Sequence, residues 1–130
     1  MGGTTKQLQD MFKGVVIAFN DHDYATVGNS LALGAIVRSV RPQQRPVHGN
    51  AEIVAWMETQ DDQPTFMPDS GTAFNLDGPE GAAMTATITG MGTWHDKYGT
   101  DRLSFTFKCQ FNGGGWVLSD LSTIGARPDA

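Results

Sequence analysis

Three side chains of the sequence have the types needed to carry protons, and they come from different regions of the chain. His95 ends a strand-like segment beside Trp94, and its imidazole could act as a general base near neutral pH. The neighbouring Asp96 does not assist it directly, because adjacent residues of a strand point to opposite faces. The alternative interpretation is a polar strand end that enters a turn.

His48 and Asp120 are the other two candidate proton carriers. His48 precedes Gly49 at the start of a predicted helix, where it could bind an anion together with the helix N-terminus or lie exposed in a loop. Asp120 lies between Leu118 and Leu121 in the last predicted strand. If Asp120 faces inward, it is a buried carboxyl group with a raised pKa, whereas a β-bulge would turn it towards solvent.

The remaining charged and glycine-rich motifs lack the spacing that a metal or phosphate site requires. His22 lies between Asp21 and Asp23, but the three share one tight loop and do not converge, so helix capping explains them. The glycines at 113–115 lack the Lys-Ser/Thr pair and the helix of a phosphate loop, and therefore indicate a hairpin turn. We predict no metal site and no cofactor.

Large apolar side chains suggest a binding pocket. The segment DRLSFTFKCQF alternates, so its apolar row from Leu103 to Phe111 shares one face. Core packing alone would also account for such residues, since burial of each is worth roughly 1.5–3 kcal/mol. Methionines fill irregular spaces and suit an adaptable pocket. The predicted lining set is Trp56, Met57, Phe74, Met91, Trp94, Phe105, Phe107 and Trp116.

The charge balance argues against nucleic acid as a partner. The chain has 130 residues, a net charge of −5 and nine Lys and Arg residues, with no basic run that could neutralise phosphates. Arg38 and Arg41 lie on or after the first predicted strand. Either could pair with a ligand carboxylate, or both could remain exposed at a sheet edge.

Length and cysteine content predict one cytoplasmic domain, residues 1–130. No segment approaches the roughly 20 apolar residues of a membrane span, and the N-terminus lacks a hydrophobic signal region. Cys109 is the single cysteine, so it cannot form an intramolecular disulfide. Its place in a strand pattern favours a small buried residue over a reactive thiol.

The first half of the chain has helical periodicity. Apolar residues recur at i, i+3, i+4 and i+7 from Leu8 to Phe19, which predicts an amphipathic helix. Thr4 with Gln7 forms a capping box at its start. Asp23 caps a second short helix that extends to Leu31, and Asn50 caps a third helix.

The second half has strand periodicity. A first strand over 33–42 and an irregular extended region over 64–76 precede three longer strands, which are predicted over 82–96, 101–111 and 116–126. Short turns join the long strands, so they should pair antiparallel. Helices followed by hairpins predict an α+β fold, with helices packed on one face of a curved sheet.

This order of elements resembles the nuclear transport factor 2-like superfamily, also called SnoaL-like or cystatin-like. Four segments carry the resemblance over nearly the whole chain. VVIAFNDHDYATV is similar to the family's broken first helix, and GAIVRSV to the strand that follows. HGNAEIVAWM is similar to its glycine-led third helix, and FKCQFNGGGWVLSDL to its final hairpin.

The resemblance implies a cone-shaped fold with an apolar cavity. A strongly bent, mixed or mostly antiparallel sheet would pack against three N-terminal helices, and a homodimer would form through the sheet's outer face. The family includes ketosteroid isomerases, polyketide cyclases, dehydratases, epoxide hydrolases and non-enzymatic modules. The isomerases place a Tyr and an Asp where this chain has Val15 and Ser39, so that chemistry is not expected. Val15, Phe19 and Ser39 join the predicted cavity lining.

Three functions remain open. The first is binding of an apolar small molecule in the cone. The second is a cofactor-independent lyase, isomerase or cyclase that uses His95, His48 or Asp120 on a hydrophobic substrate. The third is a non-enzymatic dimerisation module. Convergent polar groups around a cavity would favour an enzyme, and apolar walls would favour binding.

Overall fold

Three helices and seven strands make up the described part of the chain. The computed structural model describes residues 2–39, 46–59 and 64–125, with the side chain of Ser39 excepted; Arg41 lies outside these ranges. The helices are α1 (Thr5–Asn20), α2 (Tyr24–Asn29) and α3 (Asn50–Glu58). The strands are β1 (Leu31–Ser39), β2 (Val47–His48), β3 (Thr65–Pro68), β4 (Ala73–Leu76), β5 (Thr85–Asp96), β6 (Gly99–Phe111) and β7 (Trp116–Gly125).

Helix α1 begins as the sequence predicts. The Thr4 hydroxyl accepts a hydrogen bond from the Gln7 backbone N–H at 3.2 Å, and the Gln7 side chain accepts one from the Thr4 backbone N–H at 2.9 Å. These bonds satisfy two N–H groups that have no partner within the helix. Asp23 accepts a bond from the Thr26 N–H at 3.3 Å and so caps α2, as predicted.

Two predictions about helix ends are wrong. Leu31 begins strand β1 and does not extend α2. The N-cap of α3 is Gly49, whose φ of 94° favours glycine, and Asn50 is the first helical residue. The Asn50 amide donates instead to the carbonyl oxygens of Gly28 at 2.7 Å and Leu31 at 3.0 Å. Asn50 therefore ties α3 to the α2–β1 connection, a contact that a local capping pattern does not reveal.

The strands form one mixed sheet in the order β2-β1-β7-β6-β5-β3, with β4 also paired to β5. Only the β1–β7 pair is parallel among the described strands; the long hairpins β5–β6 and β6–β7 are antiparallel, as predicted. Helices before a large, mostly antiparallel sheet confirm the predicted α+β class.

The apolar row of β6 faces the helices. Leu103, Phe105, Phe107, Cys109 and Phe111 are all buried, whereas the intervening residues are exposed or half-buried. Phe12 of α1 packs on Phe105, with ring centroids 5.8 Å apart. The predicted orientation of this row is therefore confirmed.

A β-bulge interrupts the β6–β7 ladder. Lys108 pairs with Asp120 and Cys109 pairs with Leu118, so Ser119 is the extra residue between them. The Ser119 hydroxyl donates to the Lys108 carbonyl oxygen at 3.0 Å. Because of this extra residue, both Leu118 and Leu121 pack towards the core although they are three positions apart.

Candidate functional site

A cavity of about 260 Å³ lies between the helices and the inner face of the sheet. Helix α1 contributes one face at helical spacing, and β5, β6 and β7 contribute the opposite wall. Most of the lining side chains are apolar or aromatic. The described lining residues are Phe12, Val15, Val16, Phe19, Tyr24, Val37, Ile53, Trp56, Met57, Pro64, Phe66, Trp94, Asp96, Tyr98, Leu103, Phe107, Leu121, Thr123 and Gly125.

The cavity brings together part of the predicted lining set. The residues of that set in the lining are Val15, Phe19, Trp56, Met57, Trp94 and Phe107. Val15 and Phe19 are four positions apart and therefore share one face of α1. The ring of Phe19 lies 5.7 Å from that of Trp94, so the helix and the sheet meet at this wall.

Three predicted residues lie in the core or against it and do not line the cavity. Phe105 is 2% exposed and packs behind Phe107, with ring centroids 4.9 Å apart. Phe74 packs edge-on against Phe12 at 5.7 Å. Trp116 lies by the start of α1, where its indole N–H donates to the Thr4 carbonyl oxygen at 3.1 Å.

Two further predicted residues are not part of the described wall. Met91 is 43% exposed, because its position in the alternation of β5 turns it to the outer face of the sheet. Ser39 ends β1, and its side chain lies outside what the structure describes.

Neither candidate histidine lines the cavity. His95 is exposed, and its Nδ1 lies 2.8 Å from the hydroxyl oxygen of Thr100 on the neighbouring strand. His48 is exposed in β2, where it pairs with Ile36 of β1. His95 is therefore part of a polar strand end, and His48 is an exposed residue. In both cases the alternative interpretation holds.

Asp120 lies on the outer face of the sheet, away from the cavity. The bulge at Ser119 turns it to the same face as Lys108, its cross-strand partner. Arg38 Nε donates to Asp120 Oδ2 at 3.3 Å, and the Ser122 hydroxyl donates to Oδ1 at 3.1 Å. Arg38 thus pairs with a carboxylate of the protein itself. Of the two predicted alternatives for Asp120, the structure therefore shows the β-bulge and the outward orientation.

Asp96 is a cavity residue that was not among the predicted site residues. It is 8% exposed and lines the cavity. Trp94 Nε1 donates to Asp96 Oδ2 at 2.9 Å, and the Tyr98 backbone N–H donates to Oδ1 at 2.9 Å. The sequence contains a signal for this position. Trp94 is predicted to face the cavity, and Asp96, two residues further along the strand, shares its face.

A second carboxyl group lies on the inner face nearby. Asp101 is 6% exposed and pairs with Trp94 across the β5–β6 ladder. Its place two residues before Leu103 follows from the same alternation. The turn end of this hairpin therefore brings two buried carboxyl groups to the inner face, although only Asp96 lines the cavity.

The described ionisable groups whose pKa values are shifted do not line the cavity. Burial raises the pKa of the Cys109 thiol to about 12, so it is a packing residue and not a nucleophile. On the outer face, hydrogen bonds from Arg102 lower the pKa of Asp69. Arg102 holds Asp69 through bonds of 3.0 and 2.5 Å and also donates to the Thr93 hydroxyl at 2.9 Å.

Within the described ranges, no three His, Cys, Asp or Glu side chains come close enough to hold a metal ion. No helix among the described residues is both long and apolar enough to cross a membrane.

The fold is shared with solved structures despite low sequence identity. No protein-family model matches the sequence, and no curated protein shows significant similarity to it. A nuclear transport factor 2-like protein with a cystatin-like fold from Novosphingobium aromaticivorans superposes with a TM-score of 0.76 at 10% identity, over 96% of this chain and 83% of that chain.

Two further structures agree. A protein of unknown function with a cystatin-like fold from Nostoc punctiforme gives a TM-score of 0.74 at 10% identity, over 96% of this chain and 95% of the other. A ketosteroid isomerase-like protein from Erwinia carotovora gives 0.66 at 14% identity, over 92% and 94%. The chain therefore has the nuclear transport factor 2-like, cystatin-like fold.

Proposed function

We propose that this protein binds a small, mainly apolar molecule in the cavity between α1 and the sheet. The observation that carries the proposal is a space of about 260 Å³ with largely aromatic and aliphatic walls. Burial of apolar ligand surface contributes roughly 25 cal/mol for each Å² removed from water, which favours an apolar ligand in such a space.

The Asp96 carboxyl group supports a ligand with one polar group. Trp94 Nε1 and the Tyr98 N–H each donate to one of its oxygens, so the carboxyl group has a defined position among the cavity-lining residues. A few placed polar groups within apolar walls are typical of small-molecule sites. The hydroxyl or amine of a bound ligand would therefore lie beside Asp96.

The test is ligand-induced stabilisation with a cavity-filling variant. A panel of phenols, ketones and lactones is screened by thermal shift, and hits are titrated by calorimetry. Ligand at a hundredfold its Kd adds about 2.7 kcal/mol to the free energy of unfolding. Val15→Phe fills the cavity and should weaken binding at least about tenfold. Ile17→Phe places the same side chain at an exposed site on the same helix, because Ile17 is 52% exposed, and should not affect binding.

Two results would reject the proposal. The first is the absence of stabilisation by any member of a broad panel. The second is equal affinity of the wild type and Val15→Phe, since Val15 lines the cavity.

A second candidate function is a cofactor-independent lyase, isomerase or cyclase acting on a hydrophobic substrate. A buried carboxyl group against apolar walls supports it, because Asp96 could accept a proton from a bound carbon acid. Val15 lines the cavity and offers no hydroxyl for an oxyanion, so the isomerase arrangement is not reproduced. Asp96→Asn should abolish turnover while retaining ligand binding; unchanged turnover would exclude this role.

A homodimer through the outer sheet face is proposed as the assembly. That face carries the exposed side chains of Met67, Met91 and Ile124. It also carries two ion pairs, Arg102–Asp69 and Arg38–Asp120. The face therefore has positive and negative side chains, each of which could meet an opposite charge on a second copy. Light scattering should give about twice the 14.0 kDa chain mass. Met91→Asp should yield monomer, and a wild-type monomer at high concentration would reject the dimer.

The single buried cysteine is compatible with the cytoplasm.

A further inference from the structure

Five phenylalanines form a cluster of contacting rings at one wall of the cavity, and we name them the phenylalanine plug: Phe12, Phe66, Phe74, Phe105 and Phe107. Phe66 meets Phe105 edge-on with centroids 5.5 Å apart, and Phe105 lies 4.9 Å from Phe107. Phe12 contacts Phe107 at 6.2 Å. Three of the five line the cavity, while Phe74 and Phe105 support them from behind.

Two glycines of β5 seat this plug against the sheet. A Cβ at Gly92 would lie 2.4 Å from the Phe66 ring, and a Cβ at Gly90 would lie 3.2 Å from the Phe105 ring. The two rings therefore occupy the space that a side chain at Gly90 or Gly92 would need. Because packed interiors deform little, the plug forms a fixed wall of the cavity.

The volume in front of the plug sets a size for the ligand. An apolar cavity of roughly 150 Å³ accommodates benzene, and pockets for drug-sized ligands span roughly 300–1,000 Å³. The value of about 260 Å³ lies between these sizes. Tyr98 lines the cavity yet is 70% exposed, so the cavity reaches the surface there.

We infer that the cavity selects compact ligands of one ring or two fused rings, and that Phe107 is the residue that sets this limit. The inference rests on the proposed function and names the ligand class for the same cavity. A third or fourth ring would meet the plug or extend past Tyr98 into water. It would then add little affinity, because surface that stays in water makes no hydrophobic contribution.

The experiment measures Kd by calorimetry or fluorescence for phenol, 2-naphthol, 9-phenanthrol and 1-hydroxypyrene. Each added ring that is fully buried should improve affinity about tenfold. The wild type should show this gain from phenol to 2-naphthol and no further gain beyond it. Phe107→Ala should restore the gain for 9-phenanthrol by opening the wall that Phe107 forms. Phe107→Leu is the milder variant and should give a smaller change of the same sign.

Phe111→Ala is the matched control. Phe111 lies four residues further on the same face of β6 and is 8% exposed, close to the 9% of Phe107. It contacts Trp116 at 5.4 Å and does not line the cavity. This variant should lose stability as Phe107→Ala does, but its order of ligand affinities should match the wild type.

The outcomes separate the two proposals. Absence of binding by all four phenols in the wild type would reject the proposed function together with this inference. Tighter binding of 1-hydroxypyrene than of 2-naphthol by the wild type would overturn the size limit alone. An unchanged order of affinities in Phe107→Leu and Phe107→Ala would reject Phe107 as the limiting residue.

Discussion

Asn20 joins helix α1 to strand β3 through both polar atoms of its amide. Nδ2 donates to the Phe66 carbonyl oxygen at 2.8 Å, and Oδ1 accepts from the Phe66 backbone N–H at 2.7 Å. Phe66 is 8% exposed and lines the cavity. The amide of Asn20 therefore fixes the position of one cavity wall relative to the helix.

Asn20→Ala should destabilise the protein substantially. The substitution leaves the N–H and the carbonyl group of Phe66 without their side-chain partner, and each unsatisfied buried group costs about 1–3 kcal/mol. Since this contact is only partly buried, we expect a combined loss of about 2–4 kcal/mol. For a chain of this size that loss lowers Tm by roughly 8–15 °C.

The assay is urea unfolding followed by circular dichroism, with Tm measured in parallel. Asn29→Ala is the control, because Asn29 is an exposed asparagine at the end of α2, and it should change stability by less than about 0.5 kcal/mol. Asn20→Asp keeps an acceptor for the N–H but places an oxygen against the carbonyl, so it should also destabilise. A loss in Asn20→Ala no larger than that of Asn29→Ala would refute the bridging role.

Three other substitutions or modifications follow from the described contacts. The Cys109 thiol should resist Ellman's reagent at pH 8 in the folded protein and react once unfolded, because its pKa is raised to about 12; fast reaction in native buffer would contradict its burial. Hydrogen bonds from the start of α1 lower the pKa of Glu80 below its ordinary 4.5, so its stabilisation is present above that pH and is lost as pH falls through the folded pKa. Glu80→Gln should therefore lower the urea midpoint at pH 7 and have less effect at pH 3, whereas equal effects would exclude the charge. Gly92→Ala should cost about 1–3 kcal/mol in chemical unfolding because its Cβ meets the Phe66 ring, while Gly114→Ala, with nothing within 4 Å, should not; similar values would contradict the close approach.

Periodicity predicts most of the architecture of this chain. The helical spacing from Leu8 to Phe19 and the alternation from Leu103 to Phe111 both persist in the structure, because each places an apolar face against the other. The capping box at Thr4 is a local pattern and was also predictable. Contacts between distant segments, such as the Asn50 amide with Gly28, leave no local signal.

The candidate site was predictable only in part. Phe105 and Phe107 share a face, but of the two only Phe107 lines the cavity. Other rings, which come from distant segments, cover Phe105. The bulge at Ser119 turns Asp120 to the outer face, which the regular alternation of a strand does not predict. The inward orientation of Asp96 follows from strand alternation starting at Trp94. His95 is instead the predicted proton carrier, and it points to the opposite face of the strand.

The most direct test of ligand binding in the cone is a crystal structure of the protein with 2-naphthol. Electron density for the ligand should lie between Phe107 and Trp94, with its hydroxyl oxygen within hydrogen-bond distance of the Asp96 carboxyl group. A cavity filled by protein side chains, or a ligand bound only on the outer face of the sheet, would contradict it.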